Sequence, residues 1–273
     1  MRLTEFAITT TLTEGGNAFK DEAGESQTTR IRKADIAPTI QWLEDITKLP
    51  LVANTLGSVG KKESSGDLDI AVDENAISKD ELVSHLTSWA KSQGIPDDQI
   101  VNKGKGFKNG WIDKSGVSVH FKTPIKGNPK NGFVQTDFMF TDDLGWMKFG
   151  MFSAGDASSF SGADRNLLMS SLAKSLPGDY KYSWQKGLIV RSTGESISKD
   201  PDVIAGVLLG NGHTGKDLDS VETMMAAIKR DPQRMGQLSR LIHDLHDTQG
   251  KKPGDIRANA EEADRIQRIL SAV

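Results

Sequence analysis

Leu56-Gly57-Ser58-Val59-Gly60-Lys61-Lys62-Glu63-Ser64-Ser65-Gly66-Asp67-Leu68-Asp69-Ile70 is the stretch on which the reading of this chain turns. The apolar run from Leu51 to Leu56 predicts a short buried strand that ends at Gly57. A small-residue turn, a lysine pair and Ser65-Gly66 follow. Asp67 to Val72 then alternates acidic and apolar residues, the pattern of a half-exposed strand. Residues i and i+2 of a strand share a face, so Asp67 and Asp69 project together. Two like charges held that close repel unless a cation lies between them. Hard oxygen ligands of this kind suit Mg²⁺ or Mn²⁺. Gly57 and Ser58 leave room for backbone N–H groups to approach a phosphate. Lys61 or Lys62 is placed in sequence to neutralise it.

The chemistry this pattern predicts is in-line attack of a hydroxyl on an α-phosphate, with pyrophosphate leaving. Two metal ions about 4 Å apart would stabilise the entering and leaving oxygens. Such a site needs a third carboxylate from a neighbouring strand. Asp137, in Gln135-Thr136-Asp137-Phe138-Met139-Phe140, is the candidate. Apolar neighbours flank it on a predicted strand, where an unpaired charge is costly. An Asp-x-Asp pair alone is common on exposed strands. The Gly-Ser turn, the basic pair and the later strand Asp together are what point to a metal.

The rest of the chain sets bounds. Its 273 residues allow one large domain or two small ones. A hydrophobic fraction of 36% and a mean hydropathy of −0.42 fit a soluble globular protein. No cysteine is present, which excludes disulfides and thiolate metal sites. The opening MRLTEFAITT has no long apolar stretch, and Val203 to Leu209 is too short to span a bilayer. A cytoplasmic protein without membrane partners is expected. The net charge of −3 argues against wholesale electrostatic binding of nucleic acid but leaves room for a local basic patch.

Periodicity predicts helices at 33–47 and 79–92, and strands at 99–102, 107–113, 117–122 and 133–140. The last four read as an antiparallel group. After residue 142 the pattern turns mostly helical: 161–175, 200–209, 217–230, 232–248 and 254–272, with a small hairpin at 180–190. The expected division is an N-terminal arm (1–32), a catalytic domain (33–145), a smaller part (146–212) and a C-terminal helical region (213–273). The lysines of 103–130 form a candidate phosphate-backbone patch. Gly210 to Asp217 nearly spells a P-loop, but Asp217 stands where that motif needs Ser or Thr, so an interdomain turn is the better reading. His243 and His246, at i and i+3, read as a solvated helix face rather than a metal pair.

The stretch Gly57-Ser58…Ser64-Ser65-Gly66-Asp67-Leu68-Asp69 closely resembles the palm signature of the family X DNA polymerases, whose type member is polymerase beta. It has one residue fewer between Gly-Ser and Ser-Ser-Gly. Lys103-Gly104-Lys105-Gly106-Phe107-Lys108 resembles the family's lysine-glycine segment, and Asp137 falls where its third metal ligand stands. Phe152-Ser153-Ala154-Gly155 looks like a degraded form of its Phe-Thr-Gly-Ser turn. Gly194-Glu195, Lys199-Asp200 and Ile204 resemble its small thumb.

The resemblance implies an α+β fold: a polymerase-beta-like palm of mixed or antiparallel sheet with helices, a thumb-like part and a C-terminal helical extension. It implies a nucleotidyltransferase with two Mg²⁺ or Mn²⁺ ions on Asp67, Asp69 and Asp137. A nucleoside triphosphate, ribo- or deoxyribo-, would be gripped by Gly57, Ser58, Lys61, Lys62, Ser65 and Gly66. The implied acceptor is a nucleic-acid 3′ hydroxyl. Tyr182, Trp184, Asp164 and Arg165 are further candidates to reach the nucleotide or primer end. The family's DNA-gap-binding regions are not recognisable in residues 1–50, and residues 217–273 have no counterpart in it. Transfer to RNA ends, to a protein or to a small molecule is therefore the alternative, and a non-catalytic binding protein that retains the fold is the third reading. Oligomeric state is open.

Overall fold

The computed structural model describes residues 18–21, 23–102, 110–250 and 252–272. The start of the arm and the segment Lys103 to Lys108 lie outside the described residues. The fold is α+β, and its contacts divide the chain into two compact units. One comprises Met1–Thr55 and Lys62–Asp142; the other comprises Leu56–Lys61 and Asp143–Val273.

The first unit opens with β1 (Ile31–Arg32), which runs straight into α1 (Lys33–Thr47). β2 (Ser64–Ser65) pairs antiparallel with β1 and leads into β3 (Asp67–Asp73). α2 (Lys79–Ser92) follows, then β4 (Ile112–Ser115), β5 (Ser118–Pro124) and β6 (Phe133–Thr141). The four-stranded sheet has the order β3-β6-β5-β4. β5 is antiparallel to both of its neighbours, β4 and β6, whereas β3 lies parallel to β6, so the sheet is mixed. α2 supplies the crossover that a parallel pair needs. Its start is well defined: the Ser78 hydroxyl accepts from the Glu81 N–H, and the Glu81 carboxylate accepts from the Ser78 N–H.

The alternation of β3 separates two faces. Leu68 and Ile70 are fully buried, as are Val119, Phe121, Val134 and Phe138 on its neighbours. The rings of Trp42 on α1 and Trp89 on α2 lie against Phe121, which marks this as the helix-covered face. Burial of each such side chain contributes roughly 1.5–3 kcal/mol. Asp67, Asp69, His120, Gln135 and Asp137 occupy the alternate positions, on the other face.

Two expected strands do not form. In place of a strand over Leu51 to Leu56 there is a single 3-10 turn, Val52–Asn54, and one bridge from Thr55 to Ile70. The Glu44 carboxylate accepts from the N–H groups of both Leu51 and Val52, at 2.6 and 2.9 Å, which draws these donors away from any ladder. In place of a strand over Gln99 to Asn102, Pro96 leads a 3-10 turn, Asp97–Gln99, and only Val101 bridges to Ile112.

The second unit is mostly helical: α3 (Leu144–Gly150), α4 (Gly162–Ser175), α5 (Pro201–Leu209), α6 (Val221–Ile228), α7 (Pro232–His246) and α8 (Pro253–Ala272). A three-stranded antiparallel sheet, β7 (Tyr180–Ser183), β8 (Gly187–Val190) and β9 (Ser196–Ser198), interrupts them. One apolar cluster runs from Trp146 to Ile269, through the 146–212 stretch and the last helices alike. Among the described residues no helix is long and apolar enough to cross a membrane.

Candidate metal centre

The sheet register brings three acids together. Asp69 and Asp137 are paired positions of β3 and β6, and Asp67 lies two residues before Asp69 on the same face. One carboxylate oxygen from each of Asp67, Asp69 and Asp137 lies within 4.8 Å of the other two. This is the one such group of potential metal ligands among the described residues. The donor set is all carboxylate oxygen, which fits a hard divalent cation.

The electrostatics agree with that fit. Burial pushes the Asp69 carboxyl up to about 8; Asp67 and Asp137 add to the rise and His120 opposes it. Asp67 is also raised, first by burial and then by Asp137, while its own backbone N–H and Arg30 act in the other direction. Three partly buried carboxylates are therefore held in mutual repulsion, which a divalent cation would relieve.

Three side chains the sequence reading did not single out, His120, Gln135 and Arg30, act on the trio. His120, on β5, is paired in register with Asp137, and its Nδ1 lies 2.7 Å from Asp137 Oδ1. Gln135, two residues before Asp137, donates from Nε2 to Oδ1 at 2.8 Å and to Oδ2 at 3.0 Å of the same carboxylate. Arg30 donates to the Ser64 hydroxyl and carbonyl. A side chain at Gly66 would come within 3.3 Å of the Arg30 guanidinium. The Ser65 hydroxyl is buried and has no hydrogen-bond partner among the described residues. One signal for the first two was present: His120 with Lys122, and Gln135 with Asp137, are the polar members of alternating strands. Only the register shows that they meet.

The remaining candidates divide between the two units. Gly57, Ser58 and Lys61 group with the second unit, while Lys62, Ser65 and Gly66 belong to the first. Gly57 takes a positive φ of 60°, and the turn closes with the Lys61 N–H on the Ser58 carbonyl. The Lys61 amine donates to the Ser153 carbonyl at 2.7 Å and lies over the Phe152 ring; burial lowers its pKa. Lys62 is exposed.

Arg165 is buried and donates to the carbonyls of Leu218 and Phe149. Asp164 caps its own helix at Ser161 and pairs with Arg265 at 2.6 Å. Tyr182 is a core residue whose hydroxyl donates to Asn166. In the glycine-rich turn, the Asp217 carboxylate accepts from the Thr214 N–H and the Asp202 carboxylate from the Gly215 N–H. Those donors already face carboxylates, so the turn is no phosphate cradle. His243 and His246 are exposed on α7.

Comparison with family models, with curated proteins and with solved structures finds no match for this chain.

Proposed function

We propose that the protein is a divalent-metal-dependent nucleotidyltransferase with a polymerase-beta-like palm in its first unit. The observation that carries this reading is the Asp67–Asp69–Asp137 trio on one face of the mixed sheet, with two of its carboxyls raised by burial and mutual repulsion. Asp67 and Asp69 would hold the ions from one strand and Asp137 from its neighbour. When bound, such ions polarise the phosphoryl group and lower the pKa of the attacking hydroxyl. The chain's own groups do the rest. Gly66 keeps the strand entry open beside Arg30, whose charge faces Asp67. Lys62 supplies a further cation at the same end of the strand. The donor would be an NTP or dNTP, the released group pyrophosphate, and the preferred acceptor a nucleic-acid 3′ hydroxyl.

The test is transfer of labelled nucleotide from each NTP and dNTP, with Mg²⁺ or Mn²⁺, to primed DNA, tRNA, protein and small hydroxyl acceptors. Metal-dependent labelling with release of pyrophosphate is expected, and Asp69→Asn should abolish it. Full activity in Asp67→Asn or Asp69→Asn would overturn the assignment. Labelling without a template would move the acceptor to an RNA end, protein or small molecule. Metal-dependent NTP binding with no product on any acceptor would instead indicate a binding protein.

A further inference from the structure

We infer that Gln135 is a positioning residue of the metal centre, and that the N-terminal arm seats it. This rests on the metal-centre reading above and deepens it. Gln135 is buried, at 4% exposure, and lies between β3 and β5 on the carboxylate face. Its amide has an unambiguous orientation, because its two ends meet groups of opposite kind. Nε2 donates to both oxygens of Asp137. Oε1 accepts from the backbone N–H of Ala18 at 2.8 Å. A flipped amide would set an oxygen against a carboxylate and an NH₂ against an N–H.

The Ala18 end is itself anchored. Phe19 is fully buried, and the Gln27 N–H donates to its carbonyl. The Gln27 side chain accepts from Lys122, and the Thr29 N–H donates to the Phe133 carbonyl on β6. Residues 18–30 thus form part of the same unit as the trio, tied to the sheet at several points.

The consequence concerns Asp137. Asp67 and Asp69 share a strand, so the backbone fixes their relation. Asp137 comes from another strand, and its carboxylate could rotate about χ2. Gln135 holds both of its oxygens and His120 Nδ1 meets Oδ1, which fixes the plane of the group. Outer partners of metal-binding carboxylates commonly change metal affinity by about 10- to 100-fold. Mg²⁺ demands near-ideal octahedral geometry, whereas Ca²⁺ accepts variable ligand number and angle. Loss of positioning should therefore harm Mg²⁺ binding more than Ca²⁺ binding. Loss of charge or of folded protein would harm both alike.

The experiment measures Mg²⁺ and Ca²⁺ dissociation constants by titration calorimetry on the full-length wild type, Gln135→Met, Gln135→Ala and Ala18→Pro. Metal-free melting curves are recorded for each. Gln135→Met keeps the volume and removes the amide; Ala18→Pro removes the donor that seats it, and also fixes φ at that position. Mg²⁺ affinity should fall about 10-fold in both Gln135 variants and by a smaller factor in Ala18→Pro, with Ca²⁺ affinity changed less than about threefold. Mg²⁺ affinity within about twofold of wild type in the Gln135 variants, or equal losses for the two ions, would overturn the positioning role. An unchanged value in Ala18→Pro would remove the arm from it. A wild type that binds neither ion would overturn the metal-centre reading itself.

Discussion

Asp69 is the residue whose setting differs most from an ordinary surface carboxylate. Its folded-state pKa is raised to about 8 from 3.8, chiefly by burial. The folded protein therefore holds this proton more tightly than the unfolded chain. The stabilisation is fully present below the unfolded value and is lost as pH rises from about 4 through about 8. Asp69→Asn removes that dependence. In metal-free protein the variant should match wild type in melting temperature near pH 4 and exceed it increasingly up to pH 9. A gap that does not grow with pH would contradict the burial of this charge. Mg²⁺ should close the gap in wild type, because the ion takes the place of the proton. A second expectation concerns the trio as a set. Asp67→Asn and Asp137→Asn should each weaken Mn²⁺ binding at least 10-fold, read from the paramagnetic signal of free Mn²⁺. Asp67 and Asp69 were legible as a pair from strand alternation alone. Asp137 was legible as a strand acid, but its partner on the next strand was not, because register depends on the whole sheet.

At the level of elements, α1 and α2 have the bounds that periodicity indicates, since their buried residues recur at three and four. The two failed strands show where local pattern loses to tertiary hydrogen bonding. Leu51 to Leu56 is apolar enough for a strand, yet Glu44 on α1 claims two of its N–H groups. A similar dependence appears at Gly127, in the turn between β5 and β6. Its φ is 70°, and a Cβ there would overlap the indole of Trp42 on α1. Gly127→Ala combines left-handed strain with a clash, each about 1–3 kcal/mol. It should lower stability by about 2–6 kcal/mol, measured from the denaturant midpoint. A loss under about 0.5 kcal/mol would show that Trp42 yields freely.

For the molecule as a whole, the chain folds as two compact units, each with buried apolar side chains. Leu208 is fully buried in the second unit's cluster. Leu208→Ala should cost about 2–5 kcal/mol by loss of packing and creation of a cavity, read from calorimetric unfolding. Mg²⁺ at about a hundredfold its dissociation constant should add about 2.7 kcal/mol to the unit that carries the trio. Unfolding that ignores Mg²⁺ over that range would count against the centre. Taken alone, the sequence determined the helix stripes, the alternation of β3 and β6 and the chemical kind of the candidate ligands. All of these follow from periodicity and residue type over a few neighbours. The tertiary structure alone decided that β3 lies parallel to β6 with Asp69 beside Asp137. It also decided that His120 and Gln135 grip that third acid, and that Gly57, Ser58 and Lys61 group with the second unit. These pairings join residues far apart in the chain, and the total packing and hydrogen bonding of the folded chain selects them.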